Sequence, residues 1–390
     1  MNLEERIARR KRTDVDQRLM RASDALNPIA HPTEPVGRGL IIEQLLDVLD
    51  PVFDGKAPAD CYVWGPKGTG KSAVVRGLFE HLDRLVGRAA GRIYTTTRTE
   101  PVPDIAFVYV DGRQAKTGFA LLHAVLDSLT SEPVPKQGVG AETMQHRLAD
   151  RLTPTNRHVV VAVDHVAEPE TLSVKTVCEQ FEPFSESVSV LLTSRHSPAD
   201  AAIDCLDAGQ TVEVSAYRRH TLIEVLTSRQ ADGLIRAAVS HDQLRRLADW
   251  AAGDAHDALA ALFSGALVAD RNNHDRITET DLDDGMAAVP QPCVSLGRVL
   301  ALPESRQQVL AGLIELPEAA RNSVSSAADA ITDDRIDLSR ATIERVLYEL
   351  AEAGIIRRVK LDDAKQIGRP PSRLEPRFPT LVFEQLRSVN

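Results

Sequence analysis

Cysteine and aromatic residues are scarce in this chain, and each scarcity excludes something. Four cysteines (Cys61, Cys178, Cys205 and Cys293) are spread over 390 residues with no C-x-x-C pair, which argues against both a zinc site of the usual spacing and a disulfide framework. Aromatics make up 4% of the residues, so the cores must rest on Leu, Val, Ile and Ala within the 43% that is apolar. No apolar run approaches the ~18 residues of a membrane span. Met1-Asn2-Leu3-Glu4-Glu5 lacks the apolar segment of a secretory signal. The expectation is a cytoplasmic protein with no membrane partner. A surplus of positive charge is missing as well: the formal net charge is −10, which over the whole chain disfavours a polyanionic partner. The bases are unevenly placed, however. Arg6, Arg9, Arg10, Lys11 and Arg12 cluster at the start, and Arg357, Arg358, Lys360, Lys365, Arg369, Arg373 and Arg377 near the end. Local rather than net charge decides contact with DNA.

What is present is a complete phosphate-binding loop. Gly65-Pro66-Lys67-Gly68-Thr69-Gly70-Lys71-Ser72 fits the pattern G-x-x-x-x-G-K-[ST]. Cys61 to Trp64 has the character of a short buried strand entering the loop. Ala73 to Val86 has that of a helix leaving it, with Val74, Leu78, Leu82 and Leu85 on one face. The glycines let successive backbone N–H groups turn inward onto a phosphate, and the helix N-terminus, opened by Ala73, adds partial positive charge. Lys71 would bridge β- and γ-phosphates and Ser72 would hold Mg²⁺. The expected cofactors are therefore ATP or ADP with Mg²⁺.

Length allows two or three domains. The first thirty-odd residues are polar, basic and broken by Pro28, Pro32 and Pro35, and are expected to form an arm over 1–34. Helical spacing over Leu40 to Val52 precedes the loop strand. Strands are expected at Ile105–Val110, His158–Val163, Val188–Thr193 and Thr211–Val214, and helices at Phe119–Leu129 and Glu142–Leu152. Strands alternating with helices predict an α/β fold with a parallel sheet over 35–214. From 215 to 290 only helical spacing remains, at Thr221–Asp232, His241–Ala252, Asp254–Asp270 and Glu279–Ala288. Pro290 and Pro292 mark a linker into a third domain, 291–390. There Ser305–Leu316, a segment near Asn322–Ala330, and Ser339–Ala353 are expected helices, followed by a basic ribbon over Ile355–Phe383. That order resembles a winged helix-turn-helix.

In the third of those helices Ile343, Val346, Leu347 and Leu350 make the buried stripe, leaving Arg340, Thr342 and Arg345 near the exposed N-terminal end where a recognition helix touches base edges. Lys365, Arg369 and Arg373 would form a wing tip reaching phosphates or a minor groove. The alternative is a protein-interaction module whose basic residues are simply solvated. The basic charge on the docking elements favours duplex DNA as partner.

With these residues in hand the chain resembles, from about Pro35 to its C-terminus, the archaeal origin-recognition and cell-division-control replication initiators. These are AAA+ ATPases with a helical lid and a C-terminal winged helix. Beyond the P-loop, the likeness rests on Val108-Tyr109-Val110-Asp111-Gly112-Arg113-Gln114, on Val134-Pro135 through Gly138 to Arg147-Leu148, on Tyr217-Arg218-Arg219-His220-Thr221-Leu222 through Leu226 to Arg229, and on Gly253-Asp254-Ala255-His256-Asp257-Ala258-Leu259. The resemblance implies that Val36 to Arg38 flank the adenine, that Tyr217 and Arg229 join the nucleotide pocket, and that Asp164 is the Walker B aspartate ordering Mg²⁺. A hard oxygen ligand is what the ion requires there; a helix-capping or turn aspartate is the plain alternative.

The departures from the family pattern bear on rate. An active member carries a glutamate after the Walker B aspartate to polarise the attacking water; here that residue is His165, with Glu168 three positions on. The sensor position, usually a polar amide, is Arg195, and the lid arginine is His256. No arginine lies between Arg195 and Arg218, so the finger offered to a neighbouring subunit is missing. An arginine finger alone is worth ~10³ to 10⁵ in rate. The expected protein is thus a nucleotide-gated binder of origin-like duplex DNA with weak or absent hydrolysis and no assigned catalytic residue. A hydrolysing initiator that engages the replicative helicase, and a regulatory switch whose winged helix binds protein, are the other readings.

Overall fold

The structure is a computed structural model that describes residues 19–90, 104–136, 138–153, 157–206, 210–332, 337–360 and 372–387. It divides into two compact units, one formed by 31–217 and the other by 1–30 together with 218–390.

The 31–217 unit is built on five strands: β1 (Cys61–Trp64), β2 (Asp104–Asp111), β3 (Arg157–Asp164), β4 (Val188–Ser194) and β5 (Thr211–Glu213), all paired in parallel in the order β2-β3-β4-β1-β5. Helix α1 (Gly39–Leu49) precedes β1; parallel neighbours need crossovers, and α2 (Lys71–Ala90), α3 (Gly118–Leu129), α4 (Ala141–Leu152) and α5 (Val174–Phe181) lie in them. Successive strand residues feed opposite faces. Val108, Val110, Val159, Val161, Val163, Val190 and Leu192 pack with the apolar faces of α3, α4 and α5. Val63, Phe107, Val160, Ala162, Leu191 and Val212 pack with those of α1 and α2. Each fully buried Val or Leu contributes about 1.5–3 kcal/mol, which explains how so few aromatics suffice.

Local chemistry accounts for the boundaries. Thr117 and Ser173 cap α3 and α5, each hydroxyl accepting an N–H from the first turn. The helix expected to run to Val52 ends at Leu49 and tightens into a 3₁₀ turn over Asp50–Asp54, because Pro51 cannot continue the i→i−4 ladder. The short helix α5 was not among the expected elements, although Val174, Val177 and Phe181 carry helical spacing and are buried.

The other unit is helical: α6 (Arg219–Gly233), α7 (His241–Trp250), α8 (Ala255–Arg271) and α9 (Glu279–Ala287), then α10 (Glu304–Glu315), α11 (Val324–Ile331) and α12 (Arg340–Glu352). Strands β6 (Ile356–Lys360) and β7 (Ser372–Pro376) pair antiparallel, with Ile356 opposite Pro376. The ribbon expected through Phe383 stops there. Residues from Thr380 start a last helix, α13 (Thr380–Arg387), whose Val382, Phe383 and Leu386 are buried and whose Phe383 ring meets Phe378 edge-on at 5.2 Å. Within the expected arm, residues 19–30 are packed. Leu19 and Leu26 are buried, and the Arg21 N–H donates to Gly233 O at 2.8 Å at the end of α6. The basic cluster Arg6–Arg12 lies outside the described residues.

Candidate nucleotide site and nucleic-acid surface

The P-loop joins the end of β1 to α2, at the carboxyl edge of the parallel sheet, where open α/β folds bind ligands. Gly65, Gly68 and Gly70 all have positive φ. At two of them a side chain is also sterically barred: a Cβ on Gly65 would stand 2.1 Å from Val214 O, and one on Gly70 would stand 2.5 Å from the Tyr217 hydroxyl. The Thr69 hydroxyl donates to Pro66 O at 3.1 Å, tightening the turn. Lys71 is buried, and its ammonium donates to Gly65 O at 2.7 Å and Pro66 O at 2.8 Å. Lys67 lies within this turn and Ala73 in the first turn of α2.

Of the residues implied to flank a base, Val36 is half-buried and Arg38 is buried. The Arg38 guanidinium lies 3.6 Å from the centroid of the Tyr217 ring and donates Nη2–H to Ser215 O at 2.9 Å. Its Nε is buried without a hydrogen-bond partner, 3.7 Å from where a Cβ on Gly70 would be. An orphaned buried cationic N–H costs free energy unless an acceptor arrives. The loop therefore presents a stacked aromatic and an unsatisfied donor beside its last glycine, a donor set that fits a phosphorylated ligand.

Asp164 ends β3, two strands from β1, and is fully buried. Its carboxylate accepts from Tyr109 Oη at 2.6 Å, from the Thr193 hydroxyl at the end of β4, from the Ser72 hydroxyl, and from the His165 N–H at 2.9 Å. Burial pushes this carboxyl up, but the His165 imidazole and the three hydroxyls outweigh it and leave it well below the usual carboxylate range. It stays anionic beside Ser72, as a Mg²⁺ ligand must. Burial and the same carboxylate push the Tyr109 phenol well up, so it remains a donor.

Beyond Asp164 the backbone is contorted: His165, Ala167 and Glu170 all adopt left-handed φ values near +60° to +70° without being glycine. This contortion turns Glu168 inward. Its buried carboxylate accepts Arg113 Nη2–H at 2.8 Å and Nε–H at 3.1 Å, and Arg195 Nε lies 2.8 Å away. His165 stands between the two acids, its Nδ1 3.3 Å from Glu168 and its Nε2 3.4 Å from Asp164. Burial raises the Glu168 carboxyl, and the bond from His165 with the charges of Arg113 and Arg195 brings it down below the ordinary range. The roles of Tyr109, Thr193 and Arg113 were missed in the sequence, because each depends on which strands lie side by side. The pairing of Asp111 with Asp164 places Tyr109 one strand away from Asp164.

Two implied lid residues have other company in their own unit. Arg229, buried, donates Nη2–H to the carbonyls of Asn27 and Ala30. His256, also buried, has both ring nitrogens engaged: Nε2 accepts the Leu296 N–H at 2.9 Å, which requires the proton on Nδ1, facing Asp257 Oδ1 at 2.8 Å. Cys293 lies within 4.8 Å of this pair. A metal at Nδ1 would need that proton removed while Nε2 cannot take one, so the cluster has the chemistry of a packed hydrogen-bond network.

On the winged-helix elements three of the six expected DNA contacts, Arg340, Arg345 and Arg373, are in ion pairs. Arg340 contacts Asp329 and lies 3.4 Å from Glu344, Arg345 is 3.2 Å from Glu349, and Arg373 contacts Glu318 and Glu375. The hydroxyl of Thr342 is 2.9 Å from that of the capping Ser339. Lys365 and Arg369 lie outside the described residues.

Comparison with known proteins agrees with this architecture. Residues 34–192 match the AAA ATPase domain. The chain is 25% identical over 296 residues to ORC1-type DNA replication protein 9 of Halobacterium salinarum, covering 72% of this chain and 76% of that one. It is 24% identical over 336 residues to ORC1-type DNA replication protein 6 of the same organism, covering 81% and 82%. Its fold matches the Aeropyrum pernix ORC1 protein, solved in complex with DNA, with a TM-score of 0.63 at 18% identity over 95% of this chain and 97% of that one. No helix among the described residues is long and apolar enough to cross a membrane. Residues 34–192 thus carry an AAA ATPase domain, and the chain is similar over most of its length to archaeal ORC1-type DNA replication proteins.

Proposed function

We propose that the chain is an ATP-binding, nucleotide-gated protein of the replication-initiator type that recognises origin-like duplex DNA, with weak or absent ATP hydrolysis. The sheet edge carries the reading: a complete P-loop beside an unsatisfied Arg38 Nε, with an anionic Asp164 against Ser72. A bound Mg²⁺–triphosphate would bring a charged, state-dependent ligand whose γ-phosphate distinguishes it from the diphosphate. Lys71 would exchange loop carbonyls for phosphate oxygens, Ser72 and Asp164 would hold the ion, and Val36, Arg38 and Tyr217 would hold the nucleoside side. Arg229 and His256 would take part only by giving up the contacts described above.

Slow turnover follows from the groups around Glu168. A general base needs a free lone pair near the operating pH. Glu168 is engaged by two guanidinium groups, and His165 is shared between two carboxylates. Losing a positioned base costs about 10²- to 10⁴-fold. The order α10, α11, α12 and the β6–β7 hairpin supports a winged helix, in which phosphate contacts would supply most of the affinity and a steep salt dependence. The test is retention of sheared genomic DNA by the purified protein, with ATP and with ADP, followed by sequencing. Discrete loci sharper in one nucleotide state are expected. Uniform retention or none would overturn the DNA half, and ordinary AAA+ turnover lost in Lys71→Ala would overturn the slow-hydrolysis half.

A further inference from the structure

The solvent stripe of α12 consists of Ala341, Arg345, Tyr348 and Glu352, spaced at i, i+4, i+7 and i+11, opposite the buried Ile343, Val346, Leu347 and Leu350. Tyr348 is 44% exposed, as few large apolar or aromatic side chains are among the described residues. Its ring is covered from the adjoining strand by the guanidinium of Arg358, 5.4 Å from the centroid. Strand β6 reads Ile356-Arg357-Arg358-Val359-Lys360, with Arg357, Arg358 and Lys360 exposed. Their situations differ. Arg340, Arg345, Arg357 and Arg373 are each within ion-pair distance of a carboxylate. Among the described residues, no carboxylate pairs with Arg358 or Lys360.

We propose that the stacked Tyr348–Arg358 pair, with Lys360 beside it, is a contact for the phosphate backbone of duplex DNA. The inference rests on the DNA-binding reading above and moves the main contact from the N-terminal turn of α12 to the junction of its middle with β6. An arginine already paired to an acid brings that acid's negative charge to the duplex, where it opposes the phosphates once the pair opens. Among the described residues Arg358 has no such partner to leave. The ring beneath it fixes the plane of the guanidinium fork without neutralising it, and that presentation suits bidentate contact with phosphate oxygens. Two uncompensated cations on one short strand favour a polyanion over an acidic protein patch, because phosphates recur along the duplex at regular spacing.

The experiment uses the full-length protein and a fluorescent random-sequence duplex, with anisotropy titrations across a KCl series. Arg358→Ala is expected to weaken binding about 5- to 20-fold at low salt and to lower the slope of log K against log[salt] by about one. Arg358→Lys should keep the slope and lose part of the affinity, and Tyr348→Phe should behave as wild type. Tyr348→Ala should weaken binding with a smaller change of slope than Arg358→Ala, since the charge remains. Thermal unfolding of the same samples checks the fold, and Arg358→Lys supplies the answer if the alanine variant is unstable. Wild-type binding with unchanged affinity and slope in Arg358→Ala would overturn this inference and leave the DNA reading standing. No duplex binding by the wild-type protein would overturn the reading itself.

Discussion

Two regions of this molecule use the same chemical pair to opposite ends. At the sheet edge, Arg113 and Glu168 meet with side chains 6% and 3% exposed; on α12, Arg345 and Glu349 meet at 68% and 32%. The buried pair sits where dielectric screening is weak, tied to His165, Arg195 and a contorted backbone, so removing one member strands the others. The exposed pair is screened by water and salt and can exchange partners at little cost. One region fixes a geometry; the other can be lost with little effect on the fold.

The comparison can be broken most severely at Gly65. Gly65→Ala would drive a Cβ into Val214 O and is expected to cost about 3–5 kcal/mol in urea unfolding. A cost below about 1 kcal/mol would mean that the loop is free to shift. Next comes Arg113→Met, expected to cost about 3 kcal/mol in the same assay and to do so nearly independently of salt. Lys71→Ala should weaken ATP binding about 10- to 100-fold by calorimetry; unchanged affinity would place the phosphates elsewhere.

A pH series sharpens the contrast. Asp164 and Glu168 have folded pKa values below their unfolded ones. Their contribution is therefore complete above the usual carboxylate range near ~4 and is lost as pH falls through the folded values. The urea midpoint should hold from pH 7 to 5 and drop below pH 4, and Asp164→Asn should flatten that drop. Smallest is Arg345→Met, expected within about 0.5 kcal/mol of wild type.

The same contrast explains what was legible beforehand. The P-loop could be read directly because its glycines answer to backbone geometry, a local demand that leaves a local signature. Asp164 could be placed because an apolar strand delivers it. Tyr109, Thr193 and Arg113 could not, since β2, β3 and β4 become neighbours only through pairings between distant segments. Helix α13 carried a signal in Val382, Phe383 and Leu386, but the prolines Pro376 and Pro379 and the nearby bases suggested continued ribbon. On the winged-helix surface, the candidate arginines were visible as charges while their pairing was not, because Asp329, Glu318 and Glu375 are brought to them only by tertiary packing.

The packing of residues 19–30 into the same unit as 218–390 also orders events during synthesis. Leu19 and Leu26 leave the ribosome early, yet the helix that buries them is made roughly 200 residues later, a delay of roughly ten to forty seconds at usual translation speeds. The 31–217 unit is complete in the meantime and can fold with an unsatisfied apolar segment trailing from its start. A nascent chain stalled when residue 217 has just cleared the exit tunnel should therefore show a protease-resistant 31–217 unit with residues 19–30 still cleavable, and residues 19–30 should become resistant only once α6 has emerged.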